Sequence, residues 1–289
     1  MEAAKDEFIM VSQWAIGENE RAIKLFETLK NAVKKKDLKV KIIHNDKITQ
    51  LHHRGPKNLK TSPKSKVEVR APDVNGKTCP PWKYGILHSK FMVVDQKHLY
   101  LGSANFGSRG TTYTKELGIL VKHCPYLAKD LLKIFQLYWS IDGLQKLPEQ
   151  YSNSLSTKIN LERPALILNQ KDLTVYKVFI GSAPKSLNAE GRTDDLNAIL
   201  HLIDQAEEFI YIAVNEYVPM DLWKNKKSWP VIDDHLKKAI KERKVQVKFL
   251  VNGRATHRYL MFHHFKKLIA FEPKRIEVRV VSVSVCFDY

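Results

Sequence analysis

Apolar and polar positions alternate in two periods along this chain. Glu7-Phe8-Ile9-Met10-Val11 is a short apolar run of strand type, and Leu38-Lys39-Val40-Lys41-Ile42-Ile43 and Val67-Glu68-Val69-Arg70 alternate with period two. Between the first two lies Leu29-Lys30-Asn31-Ala32-Val33-Lys34, which reads as the end of an amphipathic helix. The same succession returns: Glu208-Phe209-Ile210-Tyr211-Ile212, then Leu236-Lys237-Lys238-Ala239-Ile240-Lys241, then Val245-Gln246-Val247-Lys248-Phe249-Leu250, then Ile276-Glu277-Val278-Arg279. From Glu7 to Glu208, Leu29 to Leu236 and Val67 to Ile276 the offsets are 201, 207 and 209 residues, a slow drift of the kind loop insertions produce. Four matches in one order predict a duplicated βαβ-type unit, that is, an α/β protein of two mixed-sheet halves flanked by helices. The halves are expected at 1–142 and 166–289, joined through 143–165, where Gly143, Pro148 and Pro164 stand among polar residues.

The first half continues with strands at Lys90–Asp95 and His98–Gly102, a Gly/Ser/Thr-rich loop from Ser103 to Thr114, and a strand at Leu117–Val121. A helix from Pro125 to Trp139 follows, with Leu127, Leu131, Ile134, Phe135 and Tyr138 as its core-facing stripe. Residues 54–66, Pro-broken and rich in Lys, predict an exposed loop.

Composition adds a globular character and a partner class. Hydrophobic residues make up 44% of the 289, enough for a sizeable core. Lys and Arg total 48 against 31 Asp and Glu, so the chain carries a formal +17, an excess that favours polyanions such as nucleic acid or anionic lipid. Cys79, Cys124 and Cys286 are too few and too irregularly spaced for a disulfide framework or a zinc pattern. The N-terminus lacks the features of a signal peptide, no apolar run is long enough to span a bilayer, and no N-glycosylation sequon occurs. The residues as written therefore read as soluble, without a membrane span.

The candidate chemistry lies at His88-Ser89-Lys90, Asp95 and Gly102-Ser103-Ala104-Asn105. In a strand, His88 and Lys90 stand two apart and face the same side. An imidazole there can attack an electrophile, and an ammonium beside it can hold an anionic one. Ser103 and Asn105 repeat the spacing at the start of the next loop and offer hydrogen-bond donors for a phosphate. No Walker loop or dinucleotide-type glycine loop competes for the role.

The pattern His-x-Lys-x4-Asp-x6-Gly-Ser-x-Asn resembles the signature of the phospholipase D superfamily. The longer stretch LHSKFMVVDQKHLYLGSANFGSRGTTYTKELGIL is similar to the branch of membrane-anchored, endolysosomal phospholipase D-like exonucleases, with poxviral relatives close by. AKDLLKIFQLYW, GRTDDLNAILHLIDQAEEFIYIAVNEYVP and SWPVIDD extend the resemblance over nearly the whole chain. It implies a pseudo-twofold duplication in which each half brings one such motif to a shared site. One histidine attacks phosphorus to give a phosphohistidine, and the other protonates the leaving group and then activates water or an alcohol. No metal or other cofactor enters this scheme. His88 would be either of these, Lys90 a phosphate contact, Asp95 a support, Ser103 and Asn105 the rest of the phosphate pocket, and Glu116 a supporting acid. Gly110 departs from the pattern, since Ser often follows the Arg that Arg109 represents. An offset of 209 from His88 puts the second histidine near position 297, past Tyr289, so the second half is expected to be incomplete at its C-terminus. Relatives of this branch carry an N-terminal membrane anchor, which would place the protein in the endoplasmic reticulum or endolysosomes if one precedes Met1.

Single-stranded nucleic acid is the expected substrate, with a phospholipid phosphodiester, or mere polyanion binding without catalysis, as alternatives; a homodimer is one way to bring two motifs together. Other groups promise less. His257, His263 and His264 have no acid or cysteine partner at ligand spacing, and His52-His53 share that reading. His44 and His123 read as structural. Glu207 and Glu208 would point to opposite faces of a strand. Tyr217, Trp223 and Trp229 suit either a base-stacking groove or the core.

Overall fold

The computed structural model describes residues 4–12, 20–36, 38–44, 56–60, 62–72, 86–107, 110, 112, 114–144, 146–169, 171–222 and 227–282. Contacts divide the chain into two compact units, Met1–Thr193 and Asp194–Tyr289.

The first unit is built on a six-stranded sheet of β1 (Glu7–Ser12), β2 (Lys39–His44), β3 (Val67–Arg70), β4 (Phe91–Val94), β5 (His98–Gly102) and β6 (Gly118–Val121), in the order β3-β2-β1-β4-β5-β6. β1, β2 and β3 are parallel, whereas β4, β5 and β6 form an antiparallel meander that joins the sheet at β1. The apolar run of β1 is buried on both faces, which is why it reads as continuous rather than alternating. Phe8 and Met10 pack with Phe26, Leu29 and Val33 of α1 (Glu20–Lys36), while Ile9 and Val11 pack with Leu127, Leu131 and Phe135 of α2 (Pro125–Ser140). Residues 54–66 differ in part from the exposed loop expected. Pro56–Leu59 forms a 3-10 turn whose Leu59 is buried against α1's side of the sheet, while Lys57, Lys60 and Lys64 stay exposed.

The segment expected to join the halves, and the chain up to Thr193, add to this same unit. Ile159, Ala165, Ile180, Leu187 and Ala189 enter the core around α2, and β7 (Ala165–Leu168) pairs antiparallel with β8 (Val175–Val178). A buried ion pair fastens the segment. Arg192 donates through Nη1 to Asp130 Oδ2 at 2.5 Å and through Nη2 to Oδ1 at 3.0 Å, and Thr157 donates to Oδ1 at 2.5 Å.

The second unit comprises α3 (Asp195–Gln205), β9 (Phe209–Val214), α4 (Val231–Arg243), β10 (Gln246–Asn252), α5 (Arg258–Phe271) and β11 (Ile276–Val281). Its strands are all parallel, in the order β11-β10-β9, which reproduces β3-β2-β1 of the first unit. Each of the four sequence matches falls on equivalent elements, so the duplication is real at the level of topology. Leu236, Ala239 and Ile240 of α4 and Met261, Phe265 and Leu268 of α5 cover one face of the three strands. Tyr217 belongs to that core, stacked at 5.8 Å on Phe265, so the packing alternative for it holds. Trp229 is exposed, and Trp223 lies outside the described residues.

Within this core Asp233 is buried and accepts from His264 Nε2 at 2.9 Å, from Lys237 Nζ at 2.7 Å and from the Tyr217 hydroxyl at 3.4 Å. Burial alone would raise its pKa, but the bonds from His264 and Lys237 outweigh it and hold the carboxyl below its usual range. A depressed carboxyl contributes stability above its unfolded value, about 3.9, and that contribution is lost as pH falls through the folded value. Asp233→Asn should cost about 1–3 kcal/mol at neutral pH and blunt the loss of stability in acid. Thermal melts of both proteins between pH 3 and pH 7 check this.

Candidate active site

The antiparallel meander brings four sequence positions to one edge of the first unit's sheet. Chain direction reverses at each step, so the start of β4, the end of β5 and the start of β6 share an edge with the carboxyl ends of β1 and β2. Register fixes the neighbours. Phe91 faces Leu101 and Gly102 faces Gly118, and the Gly102 N–H donates to the Lys90 carbonyl at 3.0 Å. His88 and Lys90 enter β4 here, Ser103 leaves β5, and Glu116 precedes β6.

Alternation through this entry separates the residues that face the core around α2 from those on the other side of the sheet. Leu87 and Phe91 point into the core around α2. Ser89 points the same way and hydrogen-bonds the hydroxyl of Tyr138, whose phenol burial pushes up. Met92 packs on the opposite side of the sheet, toward α1. His88 and Lys90 therefore share that opposite face, and the residue between them is tied to α2. The sequence marks Tyr138 only as part of a core stripe; its tie to Ser89 joins elements too far apart for any local pattern to show.

His88 is exposed, whereas Lys90 is 3% exposed, with its Nζ donating to the His88 carbonyl at 2.6 Å. Burial of the site lowers the His88 pKa, the Lys90 charge lowers it further, and Glu116 acts in the opposite sense. The imidazole is thus biased toward its neutral, nucleophilic form. Burial likewise lowers the Lys90 pKa, to about 8, against the raising effect of Glu116. Glu116 is itself held, accepting from Ser103 Oγ at 2.5 Å through Oε2 and from Thr114 Oγ1 at 2.7 Å through Oε1. The Ser103 backbone N–H donates to the Leu117 carbonyl, and the Leu117 N–H donates to Ser103 Oγ, which pins the loop's start to β6.

Asn105 places a buried Oδ1 with no hydrogen-bond partner among the described residues. A buried amide oxygen left so is costly and commonly marks a functional position. Gly110 explains its own departure from the expected Ser. A Cβ there would lie 2.3 Å from the Asn105 carbonyl oxygen, so only glycine lets the loop close on Asn105. Arg109 lies outside the described residues.

Asp95 is not brought to this edge. β4 carries it to the opposite end of the sheet, roughly 15 Å from Lys90 at about 3.3 Å per residue. There its carboxylate accepts from the backbone N–H groups of Lys5, Asp6 and Glu7 at 3.0, 2.9 and 3.0 Å. Partial burial would raise its pKa, but those three amides and nearby His98 bring it below the usual range. Asp95 therefore anchors β1 against β4, at the end of the sheet away from His88 and Lys90. His123 sits at that same far end, edge-on to His98, and His44 is fully buried at the carboxyl end of β2. His257 pairs with Glu216 and His264 with Asp233, and among the described residues no three His, Cys, Asp or Glu side chains cluster as metal ligands. Cys124 is a free thiol, while His52, His53, Cys79 and Cys286 lie outside the described residues.

Comparison with known proteins gives the family. Residues 19–287 match the family described as PLD3/4, PLD-like domain. The chain belongs to the phospholipase D-like family. It is 39% identical over 226 residues to the 5'-3' exonuclease PLD3 of Xenopus laevis, an alignment covering 76% of this chain and 45% of that protein. It is 36% identical over 198 residues to the virion nicking-joining enzyme of monkeypox virus, covering 68% and 46%. The chain thus spans about half the length of the curated relatives it matches. The phosphatidylserine synthase of Haemophilus influenzae superposes over 96% of this chain and 68% of its own with a TM-score of 0.59 at 11% identity, a likeness of fold. Among the described residues, no helix of this phospholipase D-like chain is long and apolar enough to cross a membrane.

Lys90 supplies a pH signature. Its charge is lost as pH rises through about 8, so affinity of this edge for an anion should fall above that pH. Glu116→Gln removes the influence that raises the Lys90 pKa, and the fall should begin at lower pH. Titration of oligonucleotide binding from pH 6 to pH 9.5 checks both.

Proposed function

We propose that this edge is one half of a two-histidine phosphodiesterase site acting on single-stranded nucleic acid. The observation that carries the reading is the convergence of His88, Lys90, Ser103 and Glu116 on one sheet edge, with an exposed imidazole biased toward neutrality beside a buried ammonium. Those are the parts a phosphodiester needs: a nucleophile or proton carrier, a cation for the phosphoryl oxygens, and neutral donors around them. In the two-histidine scheme one imidazole nitrogen attacks phosphorus, the P–O bond to the leaving group breaks, and the other histidine's proton goes to the departing oxygen. Water, deprotonated by that second histidine, then attacks phosphorus and breaks the P–N bond, which frees the first histidine. His88 fills one of these roles. Lys90 offsets the phosphoryl charge, Ser103 and Asn105 line the phosphate pocket, and Glu116 holds Ser103 and sustains the charge on Lys90.

The second histidine motif is not among residues 1–289. A second copy of this chain can supply it, which makes a homodimer part of the proposal. Nucleic acid is favoured over lipid by the +17 charge and by relatives whose names describe an exonuclease and a nicking-joining enzyme.

Incubating the chain, with EDTA present, with end-labelled single-stranded DNA and separately with phosphatidylcholine vesicles tests this. The expected result is cleavage of the DNA, dependent on His88, and none of the lipid. Release of the lipid headgroup in preference to nucleotides would overturn the substrate assignment, and cleavage that survives His88→Ala would overturn the site.

A further inference from the structure

Two glycines face each other across the ladder at the edge where the site is built, and neither is at a turn. Gly102 ends β5 and Gly118 begins β6, paired directly. Glycine in a strand costs stability and commonly marks a close approach of another group. Here the group is the side chain of Tyr100. A Cβ on Gly102 would lie 2.4 Å from the Tyr100 hydroxyl oxygen, and one on Gly118 would lie 2.4 Å from the same atom and 2.6 Å from a ring carbon. The phenol thus lies flat along the strand in a slot that exists only because both residues lack a side chain.

Register places that hydroxyl beside the reacting groups. Lys90 stands directly opposite Gly102, which stands directly opposite Gly118, so the three form one row across β4, β5 and β6 on one face. Strands are about 4.8 Å apart, so the hydroxyl lies within one or two strand spacings of the Lys90 backbone. It is one residue short of Ser103 on its own strand. Tyr100 is half-buried, and its hydroxyl makes no hydrogen bond to any described residue, although Ser103 and Glu116 nearby are fully engaged with one another.

We propose that the Tyr100 hydroxyl is a substrate contact of this site, donating a hydrogen bond to a phosphoryl oxygen of the diester that Lys90 holds. This rests on the reading of the edge as a phosphodiester site. Packing of an aromatic ring over strand glycines is a stabilising device in its own right, and the two roles separate cleanly. Phenylalanine keeps the ring in the slot and removes only the donor.

The test is equilibrium binding of fluorescein-labelled octathymidylate at 150 mM salt to the wild-type chain, Tyr100→Phe, Gly118→Ala, the double variant, and Lys90→Met as the site control. Tyr100→Phe should weaken binding about ten- to a hundredfold, the worth of one hydrogen bond to a charged acceptor, with its melting temperature unchanged. Gly118→Ala, which pushes the phenol out of the slot, should cause a similar loss and add nothing in the Tyr100→Phe background. Weakening by Lys90→Met with wild-type affinity for Tyr100→Phe would overturn the Tyr100 contact alone. Wild-type affinity for folded Lys90→Met would overturn the phosphodiester site itself. A loss in Tyr100→Phe matched by a fall in melting temperature would overturn the contact in favour of ring packing.

Discussion

Replacing His88 by alanine should lower hydrolysis of single-stranded DNA by at least about 100-fold, the floor for losing a general acid or base, and by more if the imidazole is the nucleophile. The substrate can tell these apart. Bis(p-nitrophenyl) phosphate releases a phenolate that needs no proton. A proton-donating His88 would therefore be dispensable in the first step on that substrate, and the loss would shrink relative to DNA. A nucleophilic His88 would be missed equally on both. Rates for wild type and His88→Ala on the two substrates, each measured at the same pH, read out the role directly. The lowered pKa of His88 has a sign in this experiment too: a nucleophile is kept competent to lower pH, whereas a proton donor is spent earlier as pH rises.

The largest effect on stability is expected at Arg192. Its guanidinium and the Asp130 carboxylate are 3% and 2% exposed, and the pair is bidentate. Arg192 also donates to the Ile180 carbonyl at 3.0 Å. Arg192→Met would leave the Asp130 charge buried with Thr157 as its remaining donor, and removing one partner of such a pair costs about 3–5 kcal/mol. Asp130→Asn in the same chain removes the stranded charge, so the double variant should recover much of that loss. Denaturant unfolding of the two single variants and the double variant gives the comparison. Because the pair fastens the 179–193 segment to α2, whose Tyr138 holds Ser89, Arg192→Met should also disturb the His88–Lys90 entry.

The parts of this fold that were legible in the sequence are those set by local period. β1, β2 and β3 and their repeats announced themselves through apolar alternation, and α2 through its stripe. Strand spacing pairs His88 with Lys90 and Ser103 with Asn105 in the sequence, and the meander sets His88, Lys90 and Ser103 at one edge of the sheet. What sequence reading missed depends on partners far away along the chain. Arg192 and Asp130 are 62 residues apart, so nothing local shows that 146–193 packs around α2. Leu59 sits in a stretch whose lysines and prolines hide a single buried anchor. Asp95 is close to Lys90 in sequence, but an intervening strand carries it to the far edge, where three amides of β1's entry claim it. Tyr100 and its two glycines become visible only once the β5–β6 register is known, since in sequence they are a tyrosine before a common glycine and another glycine 16 residues on.

His88 and Lys90 must form a phosphate-binding edge for the proposed function to hold, and carbon NMR of the His88 imidazole in the intact chain tests this most directly. The expected titration midpoint lies below the ordinary 6.5 of histidine. The signal should also shift saturably on adding octathymidylate, and that shift should be lost in Lys90→Met. A midpoint at or above 6.5, together with a His88 signal unmoved by the oligonucleotide, would contradict the proposed function.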